Sequence, residues 1–249
     1  MQFRVVTLFP EMVAAAVGHG VCGRALERGL AGVAAVNPRD FAEDPHRSVD
    51  DRPYGGGPGM VLKVAPVQKA IRAAREQLPA GARVVFLGPQ GRRFDQALAR
   101  EMAGWGGMVL VCGRYEGFDE RLLEAEADCE LSLGDFVLSG GEVAALAVID
   151  AVTRLLPGVL GDEESAQADS FSGELLDHPH YTRPEVLEDG RGVPAVLLGG
   201  NHEAIRRWRL QQALGRTSRR RPELLQGRVL TAEEQQLLDE YLAGPVETE

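Results

Sequence analysis

The chain has 249 residues, of which 44% are hydrophobic and 26% charged, and its formal net charge is −10. This composition is ordinary for a globular protein with a buried core, and it excludes a disordered or collagen-like chain. No apolar run reaches the roughly 18 residues of a membrane-spanning helix, and the N-terminal segment lacks a secretory signal pattern. We therefore expect a cytoplasmic protein without a membrane partner. Cys22, Cys112 and Cys129 form no CxxC pair, which argues against a zinc site or a disulfide framework.

Apolar runs and helical patterns alternate over the first 160 residues. Runs at 3–9, 33–36, 84–87 and 108–112 predict strands because they are short and rich in Val, Leu and Phe. Helical spacing of apolar residues predicts helices at 64–78, 94–105, 120–127 and 142–156. Strands that alternate with helices indicate an α/β domain with a mainly parallel sheet.

The polar, acidic stretch 158–181 interrupts this pattern and predicts a domain boundary. We expect a first domain at 1–160, a linker at 161–181 and a small helical domain at 182–249. In this last domain one helix is predicted from about 202 to 214. A second is predicted to begin at a capping box formed by Thr231 and Glu234. Eight arginines against two acids at 201–228 indicate an anionic partner, although a solvated helix surface would give the same pattern.

Four glycine-dense clusters lie at 50–60, 88–93, 112–121 and 132–142. Three of them follow apolar runs typical of buried strands. Glycine lets the backbone approach a ligand closely, and loops at strand ends are where open α/β folds bind ligands. The last three clusters therefore predict one site built largely of backbone. Apolar residues among the glycines of 132–142 would suit a flat aromatic ring such as adenine.

Common nucleotide and hydrolase motifs are absent from the sequence. It contains no GxxxxGK[ST], no GxGxxG between a strand and a helix, no GxSxG and no HExxH, which disfavours a triphosphatase or a dinucleotide oxidoreductase. His178 and His180 flank a proline, a pattern more typical of a turn than of a metal site, so no metal ligand is predicted. Tyr115 and Glu116 suit a ligand loop, while Asp119 also fits a helix N-cap.

Several of these motifs together resemble those of one family. DDRPYGGGPGM at 50–60, VCGRYEGFDER at 111–121, SLGDFVLSGGE at 132–142 and PHYTRPEV at 179–186 are similar to motifs of bacterial tRNA (guanine-N1)-methyltransferases. These enzymes belong to the SPOUT class of RNA methyltransferases that use S-adenosyl-L-methionine (AdoMet). The resemblance extends from about residue 1 to residue 242 with order and spacing kept.

This resemblance implies a parallel α/β sheet with a deep trefoil knot, formed by the segments around 84–93, 108–117 and 132–141, plus a small helical C-terminal domain. It also implies AdoMet bound in the knot, Mg²⁺ without assigned ligands, tRNA as substrate, and a homodimer with the active site at the subunit interface. The implied product is N1-methylguanosine immediately 3′ of the anticodon, at position 37. The alternatives are a knotted enzyme that methylates a ribose 2′-OH or another base, and a non-catalytic RNA-binding relative.

The resemblance also assigns roles to individual residues. Asp169 matches the proposed general base, Arg154 the residue that stabilises charge at guanine O6, and Glu116 a residue that shapes the pockets. Two positions depart from the pattern, since Gly88 replaces a common Ser and Phe136 a common Tyr. The tRNA-binding residues would be Arg206, Arg207, Arg209, Arg216 and Arg220. The cofactor-binding residues would be Leu87, Gly88, Pro89, Gly113, Tyr115, Glu116, Ser132, Leu133, Gly134, Asp135, Phe136, Val137, Leu138, Gly140 and Gly141.

Overall fold

A computed structural model describes residues 1–161, 169–171 and 175–244. The chain divides into two compact units, Met1–Glu163 and Glu164–Glu249. Most acids of the predicted linker, at 162–168 and 172–174, and the C-terminal residues 245–249 lie outside the described residues. The predicted boundaries at 160 and 181 stay a prediction.

The first unit is built on a parallel sheet. Its strands are β1 Gln2–Val6, β2 Gly32–Val36, β5 Arg83–Arg93, β6 Gly107–Cys112 and β7 Cys129–Ser132, and a separate antiparallel pair is β3 Asp50–Asp51 and β4 Val61–Leu62. The main sheet has the order β2-β1-β6-β5-β7, and every pairing within it is parallel. The predicted α/β class with a parallel sheet is confirmed, while the trefoil knot stays a prediction.

Helices cover both faces of this sheet. They are α1 Pro10–Val17, α2 Gly20–Glu27, α3 Val64–Glu76, α4 Gln96–Ala103, α5 Glu120–Glu126 and α6 Glu142–Thr153. Successive strand residues point to opposite faces: Val85 and Leu110 join the core with α1, α2, α4 and α6, whereas Val84 and Val109 join the core with α3 and α5. Because both faces are covered, the carboxyl ends of the strands are the edge left open for a ligand.

The second glycine cluster differs from its prediction. We expected a strand to end at residue 87 and a loop at 88–93, but β5 continues to Arg93. Leu87 and Arg92 both pair with Leu131, so residues 88–91 form a bulge within the strand. A Cβ at Gly91 would overlap the backbone of Glu130 and Leu131. The cluster is therefore glycine-rich because two backbones meet there.

The second unit is helical in its described part. It contains α7 Ala195–Leu198, α8 His202–Arg220 and α9 Ala232–Ala243, and its core is formed by Leu214, Leu237 and Leu238. The capping box of Thr231 and Glu234 is present as predicted.

The described helices include none that is long and apolar enough to cross a membrane.

Candidate active site

The carboxyl ends of β5, β6 and β7 and the start of α6 surround a cavity of about 350 Å³. Fourteen of the fifteen residues assigned to cofactor binding line it, and Asp135 does not. Glu116, which is also assigned a role in shaping the pockets, is one of the fourteen. Sequence reasoning did not include ten further lining residues: Gln90, Arg114, Gly117, Phe118, Glu120, Leu123, Glu130, Leu131, Ser139 and Ala144.

Backbone contacts between two of the glycine clusters form the base of this cavity. The Gly141 N–H donates to the Gly113 carbonyl at 2.9 Å, and Arg114 pairs with Gly140 in an antiparallel bridge. A Cβ at Gly141 would lie 2.8 Å from Cys112 Cα, closer than real Cβ atoms approach. Glycine is therefore required here for close packing of the two loops.

A buried charge network links the same loops. Glu142 is completely buried; its Oε1 accepts from the Thr7 hydroxyl at 2.7 Å, and its Oε2 lies 2.8 Å from the Arg114 guanidinium. Arg114 also donates to the Ser139 carbonyl at 3.2 Å. The end of β1, the loop after β6 and the loop before α6 are thereby fixed to one another. Burial, together with the charge of the same carboxylate, holds the pKa of the Cys112 thiol well above its usual value.

Apolar side chains form the outer wall. Phe136, Val137 and Leu138 are all exposed, Val137 to 91%. Tyr115 is half-exposed and has a φ of 59°, an unfavourable backbone conformation for an aromatic residue that is typical of functional loops. Large apolar groups that remain in water suit a cavity that closes on an aromatic ligand.

The first glycine cluster borders the cavity. The Glu116 N–H donates to the Met60 carbonyl at 2.9 Å, and the Leu62 N–H donates to the Gly117 carbonyl at 3.0 Å. The Glu116 carboxylate lies against Gly59, where a Cβ would overlap it. The end of the 50–60 cluster is thus part of the wall that carries Tyr115 and Glu116.

The cavity is acidic. Glu116, Glu120 and Glu130 line it. Among the described residues that line it the one cation is Arg114, whose charge is matched by Glu142. Asp119 does not line it; it caps α5 as the N-cap interpretation predicted, and the Arg121 guanidinium holds its pKa below the usual value. A ligand with net positive charge therefore complements this cavity.

The two residues assigned to proton and charge chemistry belong to different units. Arg154 is partly buried and is the C-cap of α6, where a positive charge complements the helix dipole. Asp169 is partly buried in the second unit. Its role stays a prediction.

Arginines and aromatic residues meet in the second unit. A groove of about 450 Å³ is lined by Tyr181, Arg183, Trp208 and Arg209 among others, and the Tyr181 and Trp208 rings lie 6.2 Å apart. Arg206 and Arg207 instead form ion pairs with Glu233. Within the described part of the chain, Arg209, Arg216 and Arg220 form no ion pair with an acid.

One group of residues in the described segments has ligand atoms close enough for a metal ion, namely Asp177, His178 and His180, within 4.8 Å of one another. Asp177 accepts hydrogen bonds from the His180 ring at 2.8 Å and from the His178 backbone at 2.7 Å, as expected for a turn. Two imidazoles and one carboxylate do not suit Mg²⁺, which prefers oxygen ligands.

A parallel sheet with a backbone-lined cavity at the carboxyl ends of its strands defines an α/β ligand-binding protein. Residues 1–227 match the family described as tRNA (Guanine-1)-methyltransferase TrmD, and the chain belongs to this family. Among similar proteins named tRNA (guanine-N(1)-)-methyltransferase, that of Methylococcus capsulatus is 63% identical over 241 residues, covering 97% of this chain and 96% of the relative. That of Hahella chejuensis is 59% identical over 247 residues, covering 99% and 95%.

Proposed function

We propose that this chain is an enzyme that transfers the methyl group of AdoMet to N1 of the guanine immediately 3′ of the anticodon, position 37, in tRNA. Family membership over residues 1–227 supports the reaction class. The observation that carries the proposal is the acidic cavity in which the loops at the ends of β5, β6 and β7 meet. Its size and apolar outer wall fit a bent nucleoside cofactor.

The cavity fits AdoMet in three respects. The glycines at 113, 134, 140 and 141 line the cavity without a side chain, so a ligand can approach the backbone closely. Leu133, Phe136 and Leu138 supply apolar contact for a flat ring. The carboxylates complement the net positive charge of AdoMet, which supplies an electrophilic methyl group when bound.

The target atom determines what the protein must contribute. Guanine N1 carries an amide-like proton and becomes nucleophilic only when that proton is removed. We assign the removal of this proton to the Asp169 carboxylate, which acts as a general base and accepts the proton from N1. Negative charge then develops at guanine O6, where the Arg154 guanidinium stabilises it. Tyr115 and Glu116, which line the cavity, hold the guanine ring against the methyl group of AdoMet so that the reacting atoms are aligned.

The second unit supplies a surface for tRNA. Arg209 and Arg183 offer phosphate contacts, and Tyr181 and Trp208 offer stacking surfaces for an unpaired base in the same groove. Stacking and phosphate contacts are how single-stranded loops of RNA are recognised. This groove is the part of the second unit that we assign to tRNA.

A homodimer is proposed on the family resemblance. Met12 of α1 and Val143 of α6 are exposed apolar residues on helices that pack together in the first unit, and such residues are typical of a subunit interface. Sedimentation equilibrium should therefore give twice the chain mass of 26.9 kDa. A single-chain mass at micromolar concentration would exclude a stable dimer.

The decisive experiment measures methylated nucleosides after the protein acts on unmodified tRNA with AdoMet. The wild type should form N1-methylguanosine. Asp169→Ala should lose at least about 100-fold in methyl transfer, since general base catalysis contributes 10²–10⁴-fold, yet keep its affinity for AdoMet.

Three outcomes of this experiment contradict the proposal in different ways. Full activity in Asp169→Ala removes Asp169 as the base. A ribose-methylated product supports the knotted 2′-OH enzyme instead. AdoMet binding without any methylated product supports the non-catalytic RNA-binding relative.

A further inference from the structure

Glu130 is a carboxylate of the cavity that none of the sequence motifs indicated. It lies on β7 beside the bulge of β5 and lines the cavity with Gly88. A Cβ at Gly88 would overlap Oε1 of Glu130. The carboxylate therefore occupies space that any larger residue at position 88 would fill.

The surroundings of Glu130 do not compensate its charge. Within the described residues no hydrogen bond or ion pair reaches its carboxylate. Burial, and secondarily the charge of Glu120, raise the pKa of Glu130 above its usual value. A partly buried carboxylate without a partner is unfavourable, and the cavity is the open side from which a partner can come.

We propose that Glu130 is a cofactor-binding side chain whose charge makes the cavity prefer AdoMet over its demethylated product, S-adenosylhomocysteine. This inference rests on the proposed function, because it requires AdoMet to occupy this cavity. Both molecules carry the same adenosine, ammonium and carboxylate. They differ in one methyl group and in the positive charge of the sulfonium. A negative wall therefore attracts the donor more strongly than the product.

This charge has a functional consequence. Once the methyl group has left, the ligand no longer carries a net positive charge, while the negative charges of Glu120 and Glu130 remain. The attraction that held the donor is then absent for the product. Glu130 thus favours release of the product and its exchange for a new donor molecule, without touching guanine.

The test compares the dissociation constants of AdoMet and S-adenosylhomocysteine by calorimetry for the wild type and for Glu130→Gln. Gln keeps the size and hydrogen-bonding capacity and removes the charge. The preference for AdoMet should fall by about twofold to fivefold, the size expected for losing the attraction between two partly exposed charges. The matched control is Glu124→Gln on α5, which removes an exposed carboxylate that does not line the cavity.

A second variant tests the geometry. Gly88→Ala should displace the Glu130 carboxylate and reduce the same preference while the charge is retained. A steric effect of the new methyl group on the adenosine or amino-acid parts, which both ligands share, cancels in the ratio of the two dissociation constants, so that ratio reports the displacement of the charge.

Thermal unfolding separates a binding role from a structural one. Because the folded-state pKa of Glu130 is raised, its contribution to stability is present at low pH and is lost as the pH rises through that pKa. At pH 7.5 the ligand-free Glu130→Gln protein should therefore melt no lower than the wild type, but gain less from AdoMet. A lower melting temperature without ligand would indicate a structural role and overturn the inference.

The remaining outcomes are distinguishable. If Glu130→Gln weakens both ligands equally or leaves the ratio unchanged, the inference is wrong and the proposed function stands. If the Glu124→Gln control changes the ratio of dissociation constants as much, the preference comes from the overall charge of the protein and not from Glu130, and the inference is wrong. If the wild type binds neither ligand, the proposed function itself fails.

Discussion

At the scale of single residues, Glu142 shows how the cavity is held in shape. It is a charged residue inside the protein, and its partners Thr7 and Arg114 come from two other segments. Removing one member of a buried ion pair leaves the other charged and desolvated, which costs more than the pair gains. Glu142→Ala should therefore lower the free energy of unfolding by about 3 kcal/mol, since such losses are typically 3–5 kcal/mol and Arg114 keeps some contact with water.

Urea denaturation of four variants checks this expectation: Glu142→Ala, Arg114→Ala, the double variant and a control. The control Glu124→Ala removes an exposed glutamate and should stay within about 0.5 kcal/mol of the wild type. The double variant Glu142→Ala, Arg114→Ala should cost less than the sum of the single changes, because no uncompensated charge remains. Additive losses would mean that the two residues act separately and that the pair does not fix the loops.

Single residues also mark the limit of sequence reasoning about the site. The glycines and apolar residues of 132–141 were recognisable as candidates for the cavity because they are neighbours in the sequence and form one visible motif. Glu130 could not, since its place in the cavity depends on β7 pairing with β5. Arg114 lies in a motif that the sequence analysis quoted, but its ion pair with Glu142 forms only because the fold brings the two segments together. Charge pairs between segments leave no local pattern in a sequence.

At the scale of elements, the helices with clear spacing and a distinct stop were predicted well. The helix expected at 64–78 is Val64–Glu76, and the one expected at 94–105 is Gln96–Ala103. The helices α1 and α2 were missed: only a strand was predicted over 3–9, whereas Pro10 begins α1, as proline is favoured at the first position of a helix. The short strand β7 was missed because its pairing with β5, and not its composition, makes it a strand.

Helix α8 illustrates how tertiary packing overrides a local signal. The helix was predicted to end at about Leu214, the residue before Gly215, yet it continues to Arg220. A Cβ at Gly215 would overlap the Tyr241 ring of α9. Glycine costs the helix roughly 0.5–1 kcal/mol relative to alanine, and it is retained where it lets the two helices approach. Gly215 therefore marks a close contact between α8 and α9 and not the end of α8.

At the scale of the whole molecule, charge is unevenly distributed. The chain carries −10, while eight arginines against two acids give the segment 201–228 about +6. The structure refines this pattern, because Arg206 bonds both Glu203 and Glu233. An arginine already paired with two carboxylates releases fewer counterions when it meets a phosphate. The arginines of this segment are therefore not equivalent as candidates for tRNA contact.

This difference predicts how tRNA affinity depends on salt. Arg209→Ala and Arg220→Ala should each weaken binding and reduce the slope of log K against log salt by about 1, the loss expected for one phosphate contact. Arg206→Ala should change the slope by less, since its charge is compensated before tRNA arrives. Binding titrations between about 50 and 200 mM salt cover the range where such slopes are measurable. Equal slopes for all three variants and the wild type would assign these arginines to a solvated helix surface, and tRNA would have to be held by other groups such as the Tyr181 and Trp208 groove.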